Sequence, residues 1–268
     1  MKDSISRGSL QGSMVLVTGA SAGIGKELAR EAASLGCHLV LVARRRDRLS
    51  ALADDLSSEF GVDVLIESAD LSVPGAGKHL AETLLESGIH IDILINNAGF
   101  GIPAGYFHDA DMEEVRRMID LMVTAPVELA HALLPTMKKK SPGVIVNVAS
   151  TAAFQPVPFI SVYSAAKAFM LSFGESLWAE NRNSGVQVLT VCPGTTLTEF
   201  FDAGGPRVSG GRTQSAKEVA EVTFRNIGKR GKPTLVTSLL NHALSLFPRL
   251  LTRGRTVRVM EEVGRSAI

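Results

Sequence analysis

The chain has little sulfur chemistry and few aromatic rings. Its 268 residues hold two cysteines, two tyrosines and one tryptophan, and aromatic side chains make up 5% of it. Cys37 and Cys192 are too distant for a metal-ligand pair and too few for a disulfide framework. A reducing compartment, the cytoplasm, is therefore the expected location. The six histidines, at 38, 79, 90, 108, 131 and 242, show no metal-ligand spacing, so no metal site is expected. Charge of one sign is lacking too. Lys and Arg number 28 against 27 Asp and Glu, a net +1, and such a balance offers nothing overall to nucleic acid or an anionic membrane. The start, MKDSISRGSLQGS, is polar and lacks the apolar core of roughly 7 to 15 residues that a signal peptide carries. Two uncharged runs, 141–166 and 233–248, do not read as membrane spans. The first contains Asn147, Gln155 and three prolines, and the second is below spanning length.

The chain does contain apolar, β-branched segments at regular intervals: MVLVT (14–18), HLVLVA (38–43), DVLIES (63–68), DILIN (92–96), VIVNVAS (144–150), VQVLTV (186–191) and TLVT (234–237). Strands without polar alternation, separated by helical patterns, are those of a parallel sheet covered on both faces. The expectation is a single-domain α/β fold, a Rossmann-like doubly wound parallel sheet of about seven strands flanked by helices. Ile24, Leu28, Ala32 and Leu35 recur at helical spacing before Gly36, a C-terminal cap signal. Ser215 and Glu218 form a capping box that starts a later helix. Residues 1–11 read as a flexible lead-in, 12–238 as the catalytic domain and 239–268 as a helical extension of it.

Two local patterns carry chemistry. In VTGASAGIGKEL, Gly19, Gly23 and Gly25 fall where the first strand meets the first helix. Glycines there permit a tight turn and let a pyrophosphate approach backbone N–H groups at the positive end of the helix dipole. A ligand-free glycine turn has the same letters, but the position after the first strand of an α/β pattern favours a dinucleotide. In YSAAK, Tyr163 and Lys167 stand four residues apart and share a helix face. Taken alone this is an ordinary surface pair. With a carbonyl nearby, a phenol donates a proton if its pKa falls from about 10 toward neutrality. A nearby lysine ammonium would shift Tyr163 downward.

TGASAGIG (18–25), Asp70 with Leu71, NNAG (96–99), Ser150 with YSAAK, and PGTTLT (193–198) occur in one order and spacing. In these motifs residues 12 to 238 resemble the short-chain dehydrogenase/reductase superfamily. The resemblance implies a nicotinamide dinucleotide held by Gly19, Ser21, Gly23, Ile24 and Gly25. It also implies an adenine contact at Asp70 beside Leu71, a lining from Asn97, Ala98 and Gly99, and a cover over the nicotinamide from Pro193, Gly194, Thr196 and Thr198. Tyr163 becomes the acid/base, Lys167 its tuner and ribose ligand, and Ser150 the group that hydrogen-bonds the substrate oxygen. Where an acidic residue would bind the ribose diol of NAD, this chain has Ala43 followed by Arg44, Arg45 and Arg46. Guanidinium groups pair with phosphate, so NADP(H) is the expected cofactor through Arg44 and Arg45, Arg46 being a solvated neighbour of Asp47.

One position departs from the family. A helix asparagine thought to hold a water linked to the lysine is replaced by Met122 in MIDLMVTAPVEL, and a thioether is at best a weak acceptor. Either backbone carbonyls near Pro126 hold that water, or the protein mainly binds NADP(H) as a regulatory or scaffold protein. The complete set Ser150, Tyr163 and Lys167 favours an enzyme. Phe100, Ile102, Phe154, Phe200 and Phe201 cluster where the cleft would open, which suits a lipophilic ketone or aldehyde, although the same residues would also complete a core. FFDAGGPRVSGG (200–211) reads as a lid over that cleft. The tail from Leu239, with leucines among Arg249, Arg253, Arg255 and Arg258, could lie on a membrane, join copies of the chain or strap the cleft. An oligomer contact or intramolecular packing is favoured over the membrane, and a homodimer or homotetramer is expected.

Overall fold

Each apolar segment alternates its side chains between two covered faces, so neither face needs polar residues. In the computed structural model, which describes residues 10–140, 142–200, 213–229 and 231–265, these segments form the main sheet. Its strands are β1 (Met14–Thr18), β2 (His38–Ala43), β3 (Val64–Ser68), β4 (Ile93–Asn96), β5 (Gly143–Val148), β6 (Val186–Cys192) and β9 (Thr234–Val236). Their order is β3-β2-β1-β4-β5-β6-β9, and every pairing is parallel, with Val17 opposite both Leu41 and Ile95. A short pair, β7 (Thr196–Leu197) with β8 (Gln214–Ser215), stands apart. The expected seven-stranded doubly wound fold is the observed one.

The helices are α1 (Gly23–Ser34), α2 (Arg46–Phe60), α3 (Ala76–Glu86), α4 (Met112–Ile119), α5 (Ala125–Lys140), α6 (Ser161–Asn181), α7 (Ala216–Phe224), α8 (Leu239–Leu246) and α9 (Arg253–Arg265). On one face of the sheet, Leu28 and Ala32 of α1, Leu49 and Leu56 of α2 and Phe224 of α7 meet Val15, Leu39, Leu41 and Val146. On the other, Leu80 and Leu84 of α3 with Leu129 and Leu133 of α5 meet Leu16, Val40, Leu94 and Ile145. Burying each such leucine stabilises the fold by about 1.5–3 kcal/mol. Gly36 ends α1 as anticipated, at φ +75° with its N–H on the Ala33 carbonyl at 2.9 Å. The Ser215 and Glu218 capping box closes in both directions. The proposed lead-in lies mostly outside the described residues, but Leu10 at its end is buried in the first layer and accepts a bond from Cys37 Sγ at 3.3 Å.

Between α4 and α5 the helix widens into a π turn at Asp120–Thr124, where the Ala125 N–H bonds the Asp120 carbonyl. Pro126 follows and has no N–H, so one carbonyl of the preceding turn lacks its helical donor. The continuous stretch Met112–Lys140 is long and apolar enough to cross a membrane by length and composition, yet Leu129, Leu133 and Met137 within it are buried against the sheet. Trp178 lies on α6, packs against the second layer, and stacks with the Arg182 guanidinium 5.2 Å from the ring centre.

Strand order reverses between β1 and β4. In open parallel sheets that reversal leaves a crevice beyond the carboxyl ends of the strands. The glycine loop, the NNAG segment, Ser150 and the residues after β6 all lie at those ends.

Candidate active site

The glycine loop is shaped by backbone constraints. Gly19 sits at φ +68°, and a Cβ there would lie 2.9 Å from Ala98 Cα. A Cβ on Gly25 would collide with the Gly19 carbonyl and come 2.5 Å from Asn97 Nδ2. No side chain caps α1 and its first turn has no acidic residue, so its N–H groups and positive dipole end are available to an anion. NNAG locks this loop from the other side. Asn97 Nδ2 donates to the Thr18 carbonyl at 2.9 Å, and the N–H groups of Asn97 and Ala98 donate to Thr18 Oγ1 at 2.9 and 3.0 Å. The motif both lines the crevice and ties β4 to β1.

Cationic groups gather at the end of β2. Arg45 Nη2 donates to Ser21 Oγ at 3.1 Å. Arg45 and Arg48 both pair with Glu199, at 3.5 and 2.7 Å, and the hydrogen bond from Arg48 is the main reason that the Glu199 carboxyl titrates below its ordinary range. Arg44 reaches instead toward Asp70, 3.9 Å away. Burial raises the Asp70 carboxyl, but bonds from Ser72 Oγ and N–H at 2.6 and 3.0 Å, with Arg44 and Arg117, outweigh it and leave Asp70 below the usual range. Arg48 and Glu199 were not among the expected site residues. Arg48 stands three residues beyond Arg45, a helical spacing that could have revealed it. Glu199 lies 151 positions from Arg48, and no local pattern marks it.

Ser150, at the end of β5, accepts a bond from the Ala152 N–H at 3.1 Å and hydrogen-bonds with the Tyr163 phenol. Tyr163 and Lys167 occupy the first two turns of α6, with Lys167 Nζ 5.8 Å from the Tyr163 ring centre. Nζ donates to the Val148 carbonyl at 2.9 Å, which anchors the buried ammonium to β5. The direction expected for Tyr163 is reversed by the protein's own groups. Burial pushes the phenol up to about 12, opposed only by the Ser150 bond. Tyr163 is partly buried and lines the cleft, with the Phe200 ring 5.7 Å away. Burial moves Lys167 the other way, down to about 8, with Cys192 as a small opposing influence.

These groups share one cleft of about 590 Å³. All the expected cofactor residues line it, from Gly19, Ser21, Gly23, Ile24 and Gly25 through Arg44, Arg45, Asp70 and Leu71 to Asn97, Ala98, Gly99, Pro193, Gly194, Thr196 and Thr198. Of the expected apolar lining, Phe100 and Phe200 are there. Ile102 packs instead with Met118 and Met122, and Phe154 packs against Ala153, Met170 and Cys192. Phe201 and the proposed lid beyond it lie outside the described residues. Met122 is buried and lines the cleft beside Gly99, with Sδ 3.6 Å from the position a Cβ would take there. The tail supplies Leu244, Phe247, Pro248, Met260 and Val263, so of the roles open to it, the strap across the cleft is the observed one.

Residues 13–206 match the family described as short chain dehydrogenase. The chain is 28% identical over 243 residues to a very-long-chain 3-oxoacyl-CoA reductase of Mus musculus, covering 89% of this chain and 76% of that protein. A short-chain dehydrogenase from Sphingobium yanoikuyae in complex with NADPH superposes with a TM-score of 0.79 at 36% identity, covering 89% of this chain and 92% of that one. A short chain dehydrogenase/reductase from Burkholderia phymatum in complex with NAD does so at 0.79 and 25% identity, over 90% and 94% of the two chains. The match over most of the chain agrees with the glycine loop and the Ser150, Tyr163 and Lys167 cluster: the chain belongs to the short-chain dehydrogenase/reductase family of NAD(P)-dependent oxidoreductases acting on CH–OH and C=O groups.

Proposed function

We propose that the protein is an NADP(H)-dependent reductase of lipophilic ketones or aldehydes, or runs the reverse oxidation of the alcohols. The observation that carries this reading is the position of Ser150, Tyr163 and Lys167 on one cleft, with cationic side chains toward one end and apolar walls around the rest. The residues fit a phosphorylated dinucleotide. No carboxylate occupies Ala43 at the end of β2, and Arg45 and Arg48 already hold an anionic group, the Glu199 carboxylate. When bound, the cofactor supplies or receives the hydride at the carbonyl carbon. Ser150 orients the substrate oxygen, Tyr163 gives or takes its proton, and Lys167 places positive charge beneath the phenol. A phenol held at about 12 is fully protonated at neutral pH, the state required of a proton donor.

An apolar substrate half, lined by Phe100, Leu121, Met122, Phe200, Leu244 and Phe247, suits an acyl or steroid-like chain, and the mouse relative acts on a 3-oxoacyl-CoA. Met122 offers no hydrogen-bond donor, which is the ground for the rival reading as an NADP(H)-binding regulatory or scaffold protein. The π turn and Pro126 favour the enzyme, because the missing Pro126 N–H frees the backbone carbonyl of Leu121 or Met122, at the position of the departure itself. Buried free thiols at Cys37 and Cys192 suit the cytoplasm, and exposed Leu239, Leu240 and Leu250 on the tail suit a homo-oligomer contact. The reading is tested by NADPH oxidation with purified protein against lipophilic ketones, aldehydes and 3-oxoacyl thioesters, with NADH in parallel. Turnover with NADPH is expected; tight NADPH binding without turnover on any of them would favour the rival.

A further inference from the structure

While Arg44 reaches toward Asp70, Glu199 is the acidic side chain paired with both Arg45 and Arg48. It follows Thr198, whose side chain lies against Gly23, 3.1 Å from where a Cβ would stand. The chain leaving β6 therefore crosses the glycine loop, and Glu199 fastens it to Arg48 at 2.7 Å and Arg45 at 3.5 Å. Arg45 in turn holds Ser21 of that loop. The carboxylate thus occupies the guanidinium group of Arg45, which lines the cleft and suits a phosphate monoester, together with that of Arg48 beside it. We propose that Glu199 is an internal anion that competes with the 2′-phosphate of NADP(H) for Arg45 and Arg48, latching the segment after β6 across the crevice until the phosphate replaces it.

The inference rests on the NADP(H) reading above and adds to it a residue that sets cofactor discrimination. A phosphate monoester has up to twice the charge of a carboxylate and three acceptor oxygens, so it outcompetes Glu199. NADH has no group to displace the latch and binds with Glu199 still seated. All three side chains are near half exposed, at 45, 42 and 56% for Arg45, Arg48 and Glu199, and exposed ion pairs contribute little. The competition therefore changes affinity by about three- to fivefold rather than by orders of magnitude.

The test is calorimetric titration of the wild-type protein and of Glu199→Gln with NADPH, NADH and adenosine 2′,5′-bisphosphate. In the variant, Kd for NADPH and for the bisphosphate should fall about three- to fivefold while Kd for NADH stays put, and added salt should shrink the gain. A merely structural role for Glu199 would move NADPH and NADH together, and that result, or weaker NADPH binding in the variant, would overturn the competition. Wild-type preference for NADPH with no gain in Glu199→Gln would overturn the competition and leave the cofactor reading standing. Preference of both proteins for NADH would overturn both.

Discussion

The two halves of the cleft are built in different ways. The cofactor half is made of backbone: Gly19 and Gly25 leave no room for a Cβ, and Thr18, Asn97 and Ala98 tie two strand ends together through four hydrogen bonds of 2.9 to 3.2 Å. The substrate half is made of side chains from distant parts of the chain, with Phe100 and Met122 lining the cleft together with Leu244, Phe247, Met260 and Val263 of the tail. A backbone site tolerates almost no substitution because a single added carbon meets main chain. A side-chain site is retuned by repacking. The first half therefore specifies one ligand class, and the second sets which molecule is brought to it.

The largest break should come where the halves meet. Tyr163→Phe keeps the ring and removes the proton, so turnover should fall about 10²- to 10⁴-fold with the NADPH Kd little changed; steady-state rates and fluorescence titration measure the two separately. In the cofactor half, Gly25→Val drives a branched side chain into the Gly19 carbonyl and Asn97. It should cost about 1–3 kcal/mol of stability in denaturant melts and weaken NADPH and NADH binding alike.

A pH profile sharpens the comparison at the reacting groups. Burial disfavours the Lys167 ammonium and lowers its pKa to about 8, while Tyr163 stays protonated to about 12. In reduction, kcat/KM should hold steady below pH 8 and decline above it as Lys167 loses its charge, with no loss attributable to Tyr163 in that range. In the substrate half, truncating Leu244 and Phe247 to Ala removes partly exposed apolar walls. It should raise KM for a bulky ketone by about tenfold, equivalent to about 1.4 kcal/mol of lost apolar contact, and leave the NADPH Kd alone. The smallest effect is expected from Met122→Asn, with turnover within about threefold of wild type and a loss of about 1–3 kcal/mol of stability for placing an amide among Met118, Ala166 and Ile102.

The cofactor half was legible because its information is local. TGASAGIG and NNAG each lie within one strand-to-helix or strand-to-loop junction, and YSAAK within two turns of one helix, so spacing brings the atoms of each motif together, and the resemblance those motifs carry implied their roles. Apolar side chains lacked such a code. Ile102 and Phe154 look like Phe100 and Phe200 in sequence, yet they turn into packed clusters beside the cleft rather than into it. The direction of the Tyr163 shift also escaped sequence reasoning, because it is decided by how much apolar surface encloses the phenol.

By itself, then, the sequence determined a parallel sheet of about seven strands, since strand periodicity is a property of neighbouring residues, and the family resemblance carried by its motifs pointed to Ser150, Tyr163 and Lys167 as the candidate catalytic residues. Only the tertiary structure decided that the tail straps the cleft, that a π turn precedes Pro126, and that Glu199 meets Arg48 across 151 positions of chain. Those contacts depend on where separate elements come to rest on the sheet, and that is set by the packing of whole layers rather than by any short run of residues.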